Sequence, residues 1–339
     1  MDFLLGKMPF DAKYAAEGKM EERLLSLLRL ALRYNATDIH FSMFYQEVKI
    51  EMRIDGKFFR VKEKFEDYRL MRYLQYLANL DIGNLTIPQT GQFEMDVDGN
   101  DMSLRFAVIN SGNSTNGVLR ILNSNLKVTA DKLSNLEGQN RYFRSLLTKR
   151  CGLVLFSGPT GSGKTTTLYA LLKACRNKKI YSIEDPIEVY NDGIIQLQIN
   201  EKMGFDYKTG VEQILRHDPD IIMIGEIREE KAAQIAVVAA NTGHLVLSTI
   251  HSSKASSVIS RMCELGVNES HLYENLICIV NQRLMTNVRD RKKIALYEVM
   301  DAKEIGYFRK NGHNSKDFLD IDTQIERGID EGIFEREVL

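Results

Sequence analysis

The chain has 339 residues, 44% hydrophobic, with only 5 prolines, enough to bury at least one full core; that length carries a prior of about two domains. Its 45 Lys and Arg balance 46 Asp and Glu for a net charge of -1, so there is no global basic field of the kind a dedicated nucleic-acid binder carries, and no direct nucleic-acid binding is expected. Cys151, Cys175, Cys263 and Cys278 form no CxxC pair, which points to neither a zinc ribbon nor a disulfide framework and fits a reducing cytoplasm. No basic-then-apolar leader and no apolar run near the roughly 20 residues that cross a bilayer is visible, so any membrane role is expected to go through a partner.

Residues 20 to 34 place Leu24, Leu25, Leu27, Leu28, Leu30 and Leu32 on a broad apolar face with Glu21, Glu22, Arg23 and Arg29 left for solvent, the pattern of an amphipathic helix. Val48, Ile50, Met52 and Ile54 then alternate with Lys49, Glu51 and Arg53 before Asp55-Gly56, a hairpin signal leading to residues 57 to 61. Phe93, Met95 and Val97 repeat the alternation up to Asp98-Gly99, and Met102, Leu104, Phe106 and Val108 return as one strand face, which directs Arg105 to the other. Gly117 to Leu122 forms one more strand, with Leu119 and Ile121 on one face and Arg120 opposite. Residues 111 to 116 are expected as a polar loop. Residues 1 to 124 thus read as a small α+β domain displaying arginines, and the polar stretch 125 to 140 as a linker.

From Leu153 the pattern changes. Leu153–Phe156, Ile180–Ile183, Ile221–Ile224 and Leu245–Ser248 are short apolar strands separated by helical stretches, the signature of an α/β domain with a largely parallel sheet. No repeat period or low-complexity segment interrupts it. After Asp301 the chain turns polar, with Ile321, Ile325, Ile329 and Ile333 at helical spacing.

The first of these strands runs into Gly158-Pro159-Thr160-Gly161-Ser162-Gly163-Lys164-Thr165-Thr166 and then a helical stretch. Glycines let such a loop wrap so that backbone N–H groups face phosphate oxygens at a helix N-terminus. Lys164 reaches the outer phosphates and the Thr165 hydroxyl suits Mg²⁺. Ile221–Ile224 delivers Glu226 at the carboxyl end of a central strand, where ligands bind in open α/β sheets. Glu226 suits either a water-mediated Mg²⁺ contact or orientation of the attacking water, since phosphoryl-transfer catalysis is mostly positioning and charge stabilisation. Ile180–Ile183 ends in Glu184-Asp185-Pro186-Ile187-Glu188, which makes Glu184 a candidate general base, with a solvated turn acid as the alternative. His251 follows Leu245–Ser248, suited to sensing the outer phosphate or to binding across a subunit boundary.

This set resembles the secretion ATPase superfamily that powers type II secretion, type IV pili and competence pseudopili. The phosphate loop, an acidic box at Tyr181–Glu188, a Walker B segment at Asp218–Glu226 and a histidine box at Gly243–His251 occur in family order. Ala36-Thr37-Asp38-Ile39-His40, Arg53-Ile54-Asp55-Gly56, Pro88-Gln89-Thr90-Gly91 and Leu119-Arg120-Ile121-Leu122 are similar to its N-terminal signatures. The resemblance implies a RecA-like P-loop ATPase domain after a smaller α+β, PAS-like domain, whose Arg105 and Arg120 reach nucleotide phosphates when it folds over the site. It also implies ATP and Mg²⁺, a homohexamer, a polytopic inner-membrane platform protein as partner, and pseudopilins served indirectly, with the ring held at the inner face of the membrane.

The four cysteines form no tetracysteine element, no extra N-terminal domain is expected, and the chain has the Pro-Gln-x-Gly string rather than the retraction-type Ala-Ile-Arg-Asn-Leu-Ile-Arg-Glu segment, so it is most similar to the competence pseudopilus branch of Gram-positive bacteria. No zinc is expected. A retraction motor, a nucleotide-responsive scaffold with little turnover and a DNA-translocating motor stand as the alternatives.

Overall fold

The computed structural model describes residues 20–44, 47–54, 56–61, 69–83, 87–111, 114–122, 128–290 and 292–334. Two compact units divide the chain, Met1–Asn125 and Leu126–Leu339.

In the first unit, alternating residues build α1 (Met20–Arg33), β1 (Asp38–Phe44), β2 (Glu47–Ile54), β3 (Lys57–Arg60), α2 (Arg69–Leu77), β4 (Gln89–Val97), β5 (Asn100–Ser111) and β6 (Ser114–Leu122). The strands described form one antiparallel sheet in the order β3-β2-β1-β6-β5-β4. Because side chains alternate across a strand, Ile39, Ile50, Met52, Leu104, Phe106 and Leu119 share one face. They pack there against Leu24, Leu27 and Leu28 of α1 and Leu70, Met71 and Leu74 of α2. The other face is left to polar residues.

The β4–β5 hairpin turns through Asp98 at φ 55 and Gly99 at φ 80, the paired positive values that match strand twist in a two-residue turn. Of the other hairpin signal only Gly56 is seen, since Asp55 lies outside the described residues. The expected loop at 111 to 116 is shorter than its composition suggests: Ser111 pairs with Ser114, Asn110 with Thr115 and Ile109 with Asn116. Side-chain bonds from Thr115 to Asn110 (2.7 Å) and between Ser111 and Ser114 (2.8 Å) let these polar residues stay in the ladder, and only residues 112 and 113, outside the described set, remain between the strands.

The second unit opens with a 3-10 turn at Ala130–Lys132 and α3 (Glu137–Leu146), followed by β7 (Gly152–Ser157), α4 (Lys164–Lys173), β8 (Ile180–Glu184), β9 (Ile195–Gln198), α5 (Tyr207–Leu215), β10 (Ile221–Ile227), α6 (Glu230–Asn241) and β11 (Leu245–Ile250). It closes with α7 (Ser257–Glu264), α8 (Glu269–Asn275), β12 (Leu276–Thr286), β13 (Lys293–Asp301), α9 (Ala302–Asn311) and α10 (Ile321–Asp330). The described strands run β13-β12-β7-β11-β10-β8-β9, parallel except for β13 at the edge. The four expected strands are its centre and are apolar throughout because both faces are covered, by the clusters around Ile183, Ile222 and Val246 and around Val154, Phe156 and Met223. This is α/β architecture, as expected.

The stretch read as a linker is partly packed. Ala130 and Leu133 are buried with Phe143 and Leu147, and the polar signal there is explained by Asn140. Its amide bonds the Ser134 N–H (2.8 Å), the Asp131 carbonyl (2.9 Å) and the Ser134 carbonyl (2.8 Å). The polar tail holds two helices, and Ile333 lies past the end of α10.

Gly91 of the Pro-Gln-Thr-Gly string has a packing role. A Cβ there would lie 2.0 Å from the Ala78 carbonyl oxygen, while Gln89 bonds both the N–H (2.8 Å) and the carbonyl (2.9 Å) of Asp81. Gly91→Ala is therefore expected to destabilise the first unit by about 1 to 3 kcal/mol, read by denaturant unfolding. Gly138→Ala, in open space, is expected to change stability little.

Candidate nucleotide site

β7 ends at Ser157 and α4 begins at Lys164, so the loop between them crests at the sheet's carboxyl edge. Gly158, Gly161 and Gly163 have φ values of 140, 79 and 86, open to glycine and strained for any other residue. At Gly158 space is limiting as well, since a Cβ would lie 2.4 Å from the Gln282 carbonyl oxygen of β12. Pro159, Thr160 and Gly161 are exposed, Ser162 is buried, and Thr165 and Thr166 form the half-buried first turn of α4.

Lys164 is only 7% exposed. Its ammonium donates to the carbonyls of Gly158 (2.9 Å) and Pro159 (3.0 Å), so the loop wraps the lysine it presents. Burial pulls its pKa down, opposed by the charges of Glu226 and Glu188. Those two acids therefore share the lysine's field.

Glu226 is carried on β10. Parallel pairing of β10 with β11 sets Ile224 beside Ser248 and Ile227 beside Ile250, reinforced by Ser248 and Thr249 hydroxyls donating to the Ile224 and Gly225 carbonyls, each at 2.7 Å. That register brings His251 Nε2 to 2.8 Å from Glu226 Oε1, with Arg228 Nη2 2.6 Å from Oε2. The structure thus unites Lys164, Glu226 and His251 and adds Glu188 and Arg228.

Glu184 is placed differently. It is 2% exposed and accepts bonds from Ser182 (2.6 Å), Gln196 (3.1 Å) and the Tyr169 hydroxyl of α4. Burial pushes its pKa up against the pull of these donors. Gln196 continues the network to the Val189 carbonyl (3.0 Å) and the Asn191 N–H (2.7 Å). Glu184 thereby anchors the acidic box, while Glu188, exposed four residues later, is the acid that shares the field of Lys164. Sequence spacing shows acids at a strand end; which one turns inward depends on Tyr169 and Gln196, and nothing in the string itself reveals that.

In the first unit one register row crosses the sheet: Gln92, Arg105, Arg120, Asp38, Arg53 and Phe58. Arg105 and Arg120 are therefore neighbours on the polar face, as alternation predicts. Asp38 is buried; it accepts from Arg120 Nε and the Thr37 hydroxyl at 2.8 Å each, and Arg53 Nε lies 3.9 Å away. The Arg53 guanidinium stacks 4.4 Å over Phe58. Among the described residues no group of three or more His, Cys, Asp or Glu is arranged to hold a metal, and no helix is long and apolar enough to cross a membrane.

The family profile of the Type II/IV secretion system proteins matches residues 14–322. The chain belongs to that family. It is 32% identical to the competence protein ComGA of Bacillus subtilis (strain 168), covering 90% of this chain and 92% of that one. It is 37% identical to type II secretion system protein E of Pseudomonas aeruginosa over 77% of this chain, but spans only 53% of that relative. Among solved structures, the pilus retraction motor PilT with bound ADP superposes with a TM-score of 0.69 at 23% identity, over 93% of this chain and 95% of that one, which shows a shared fold. The chain is an ATP hydrolase of the secretion family and similar to ComGA.

Asp38 supplies a pH test. Burial acts to raise its pKa, but hydrogen bonds from Arg120 and Thr37 and the Arg120 charge outweigh it, so the carboxyl titrates below the usual aspartate range. A depressed folded-state pKa stabilises above the unfolded value of about 3.9 and is lost as pH falls through the folded value. Asp38→Asn is expected to destabilise the first unit by about 1 to 2 kcal/mol at pH 7, the upper limit discounted because Arg120 is half exposed. The difference from wild type should shrink below about pH 4, read by thermal unfolding across pH.

Proposed function

We propose that this protein is the motor ATPase of a competence pseudopilus or type IV pilus-like machine for DNA uptake. It works as a cytoplasmic homohexamer at the inner face of the membrane against a polytopic platform protein that moves pseudopilins. The observation that carries the reading is the clasp of Lys164 by its own loop, with Glu188 and the Glu226–His251 pair in its field. Similarity to ComGA at 32% identity over 90% of this chain and 92% of that one supports the competence branch.

In this reading the loop N–H groups and the α4 N-terminus bind the phosphates of ATP. Lys164 exchanges its two carbonyl partners for phosphate oxygens. The Thr165 hydroxyl and the Glu226 carboxylate are hard oxygen donors that fit Mg²⁺, which when bound neutralises phosphate charge. Glu188, exposed at the end of the acidic box, orients the attacking water and takes up its proton. His251 and Arg228 fix the Glu226 carboxylate. Glu184 holds the acidic box in place through Gln196. Hydrolysis and product release then drive the conformational cycle.

Lys164→Ala is expected to reduce phosphate release by the purified protein at least about 100-fold, and to abolish DNA uptake. Glu188→Gln should cut kcat on the order of 100-fold with ADP affinity within about threefold, whereas Glu184→Gln should lose less than about tenfold in kcat. The reverse ranking would return the base to Glu184. A wild-type protein that binds ATP without releasing phosphate would favour the scaffold, and filaments that persist in a deletion strain would favour retraction.

A further inference from the structure

Asn281 of β12 and Glu298 of β13 face each other across the ladder, and neither belongs to the site described above. Both are buried, Asn281 completely and Glu298 to 2% exposure. Asn281 Nδ2 donates to the Ser157 hydroxyl at 2.9 Å and to the Ser252 carbonyl at 3.2 Å. Ser157 immediately precedes the phosphate loop, and Ser252 immediately follows His251. A single amide therefore ties together the roots of two nucleotide motifs.

Glu298 extends the tie. Its Oε1 accepts the Ala255 N–H at 2.7 Å and its Oε2 accepts the Ile321 N–H at 3.0 Å. The loop after His251 is thus held at Ser252 by one member of the pair and at Ala255 by the other, while Ile321 is the first residue of α10. Burying a carboxylate is unfavourable unless its oxygens are satisfied, and here they satisfy two backbone N–H groups from distant segments, one of them at a helix N-terminus that favours negative charge. No apolar residue could serve both donors.

Two further contacts bind α10 to the same region. Gln324 Nε2 donates to the Tyr297 carbonyl at 3.0 Å, and the Tyr297 hydroxyl lies 3.2 Å from the Thr167 hydroxyl on α4. Lys254, in the loop after His251, lies 3.3 Å from Asp322.

We propose that the Asn281–Glu298 pair couples the C-terminal helix α10 to the nucleotide site, with Glu298 a positioning residue that fixes loop 252–255 and hence the His251–Glu226 contact. The proposal deepens the nucleotide-site reading above and rests on it. By reciprocity, nucleotide that orders the His251 loop orders the start of α10, and an ordered α10 in turn favours nucleotide binding; separately, a change at α10 reaches turnover through the His251–Glu226 contact.

Hydrogen exchange of the full-length wild type, with and without ADP and Mg²⁺, tests this without any variant. Segments 158–165, 252–256 and 320–326 are expected to slow together, each by at least about fivefold. Protection of the first two with 320–326 unchanged overturns the coupling alone; no protection at 158–165 overturns the nucleotide site as well.

Glu298→Gln gives the kinetic test. A glutamine oxygen accepts one N–H, but its own NH2 then opposes the other donor. The expected result is kcat lower on the order of tenfold with ADP affinity within about threefold, and His251→Ala/Glu298→Gln no slower than His251→Ala alone. Losses that multiply in the double variant would show that Glu298 acts elsewhere and overturn its role in positioning His251.

Discussion

The second unit depends on keeping a lysine charged and out of water. Lys164 is buried by the loop that presents it, and an ammonium without partners there would be expelled or neutralised. Two backbone carbonyls and the field of two carboxylates hold it. The loop keeps that shape because it rests on β12, where Gln282 meets Gly158 by its backbone and bonds the Thr167 hydroxyl at 2.9 Å by its side chain. The acids keep their places because β10 and β11 are locked in register and because Glu184 is anchored on Tyr169. The site is a property of the sheet order, with β7 set between β11 and β12, more than of the loop alone.

The first unit applies the same economy to arginine. Asp38 is the acid placed among the arginines of the row, and by occupying Arg120 and lying near Arg53 it holds guanidinium groups on a sheet face that alternation had already made polar. Asp38 forms part of the Ala-Thr-Asp-Ile-His string, whose significance in sequence is only a resemblance. In the structure the carboxylate has a defined task, set by its position opposite both Arg53 and Arg120.

Much of this was legible in the chain itself. The phosphate loop, the four central strands and the polar face carrying Arg105 and Arg120 follow from glycine spacing, apolar runs and period-two alternation, because each is a local consequence of residue order. What was hidden is set by particular partners, some a few residues away and some distant in sequence. Ser111, Ser114, Thr115 and Asn116 pair within a hairpin, and the polar residues near 130 to 140 pack because Asn140 satisfies the turn before it. Strand β12 carries the polar Asn281 and Gln282 into the interior, and their burial is explained by the loops and the helix they serve. The anchoring of Glu184, which leaves Glu188 as the box acid in the field of Lys164, turns on Tyr169 and Gln196 in the same way.

The contact between Gly158 and Gln282 also bears on when the protein can acquire its ligand. A ribosome that has made the phosphate loop and its helix has not yet made the strand on which they rest. Until residues 276 to 286 emerge and slide in beside β7, the loop lacks its floor, Thr167 lacks its acceptor and Ser157 lacks the Asn281 amide. A nascent chain of this sequence can therefore expose the full glycine-rich motif for much of its synthesis without a formed nucleotide pocket, and gains one only as its last strands are added.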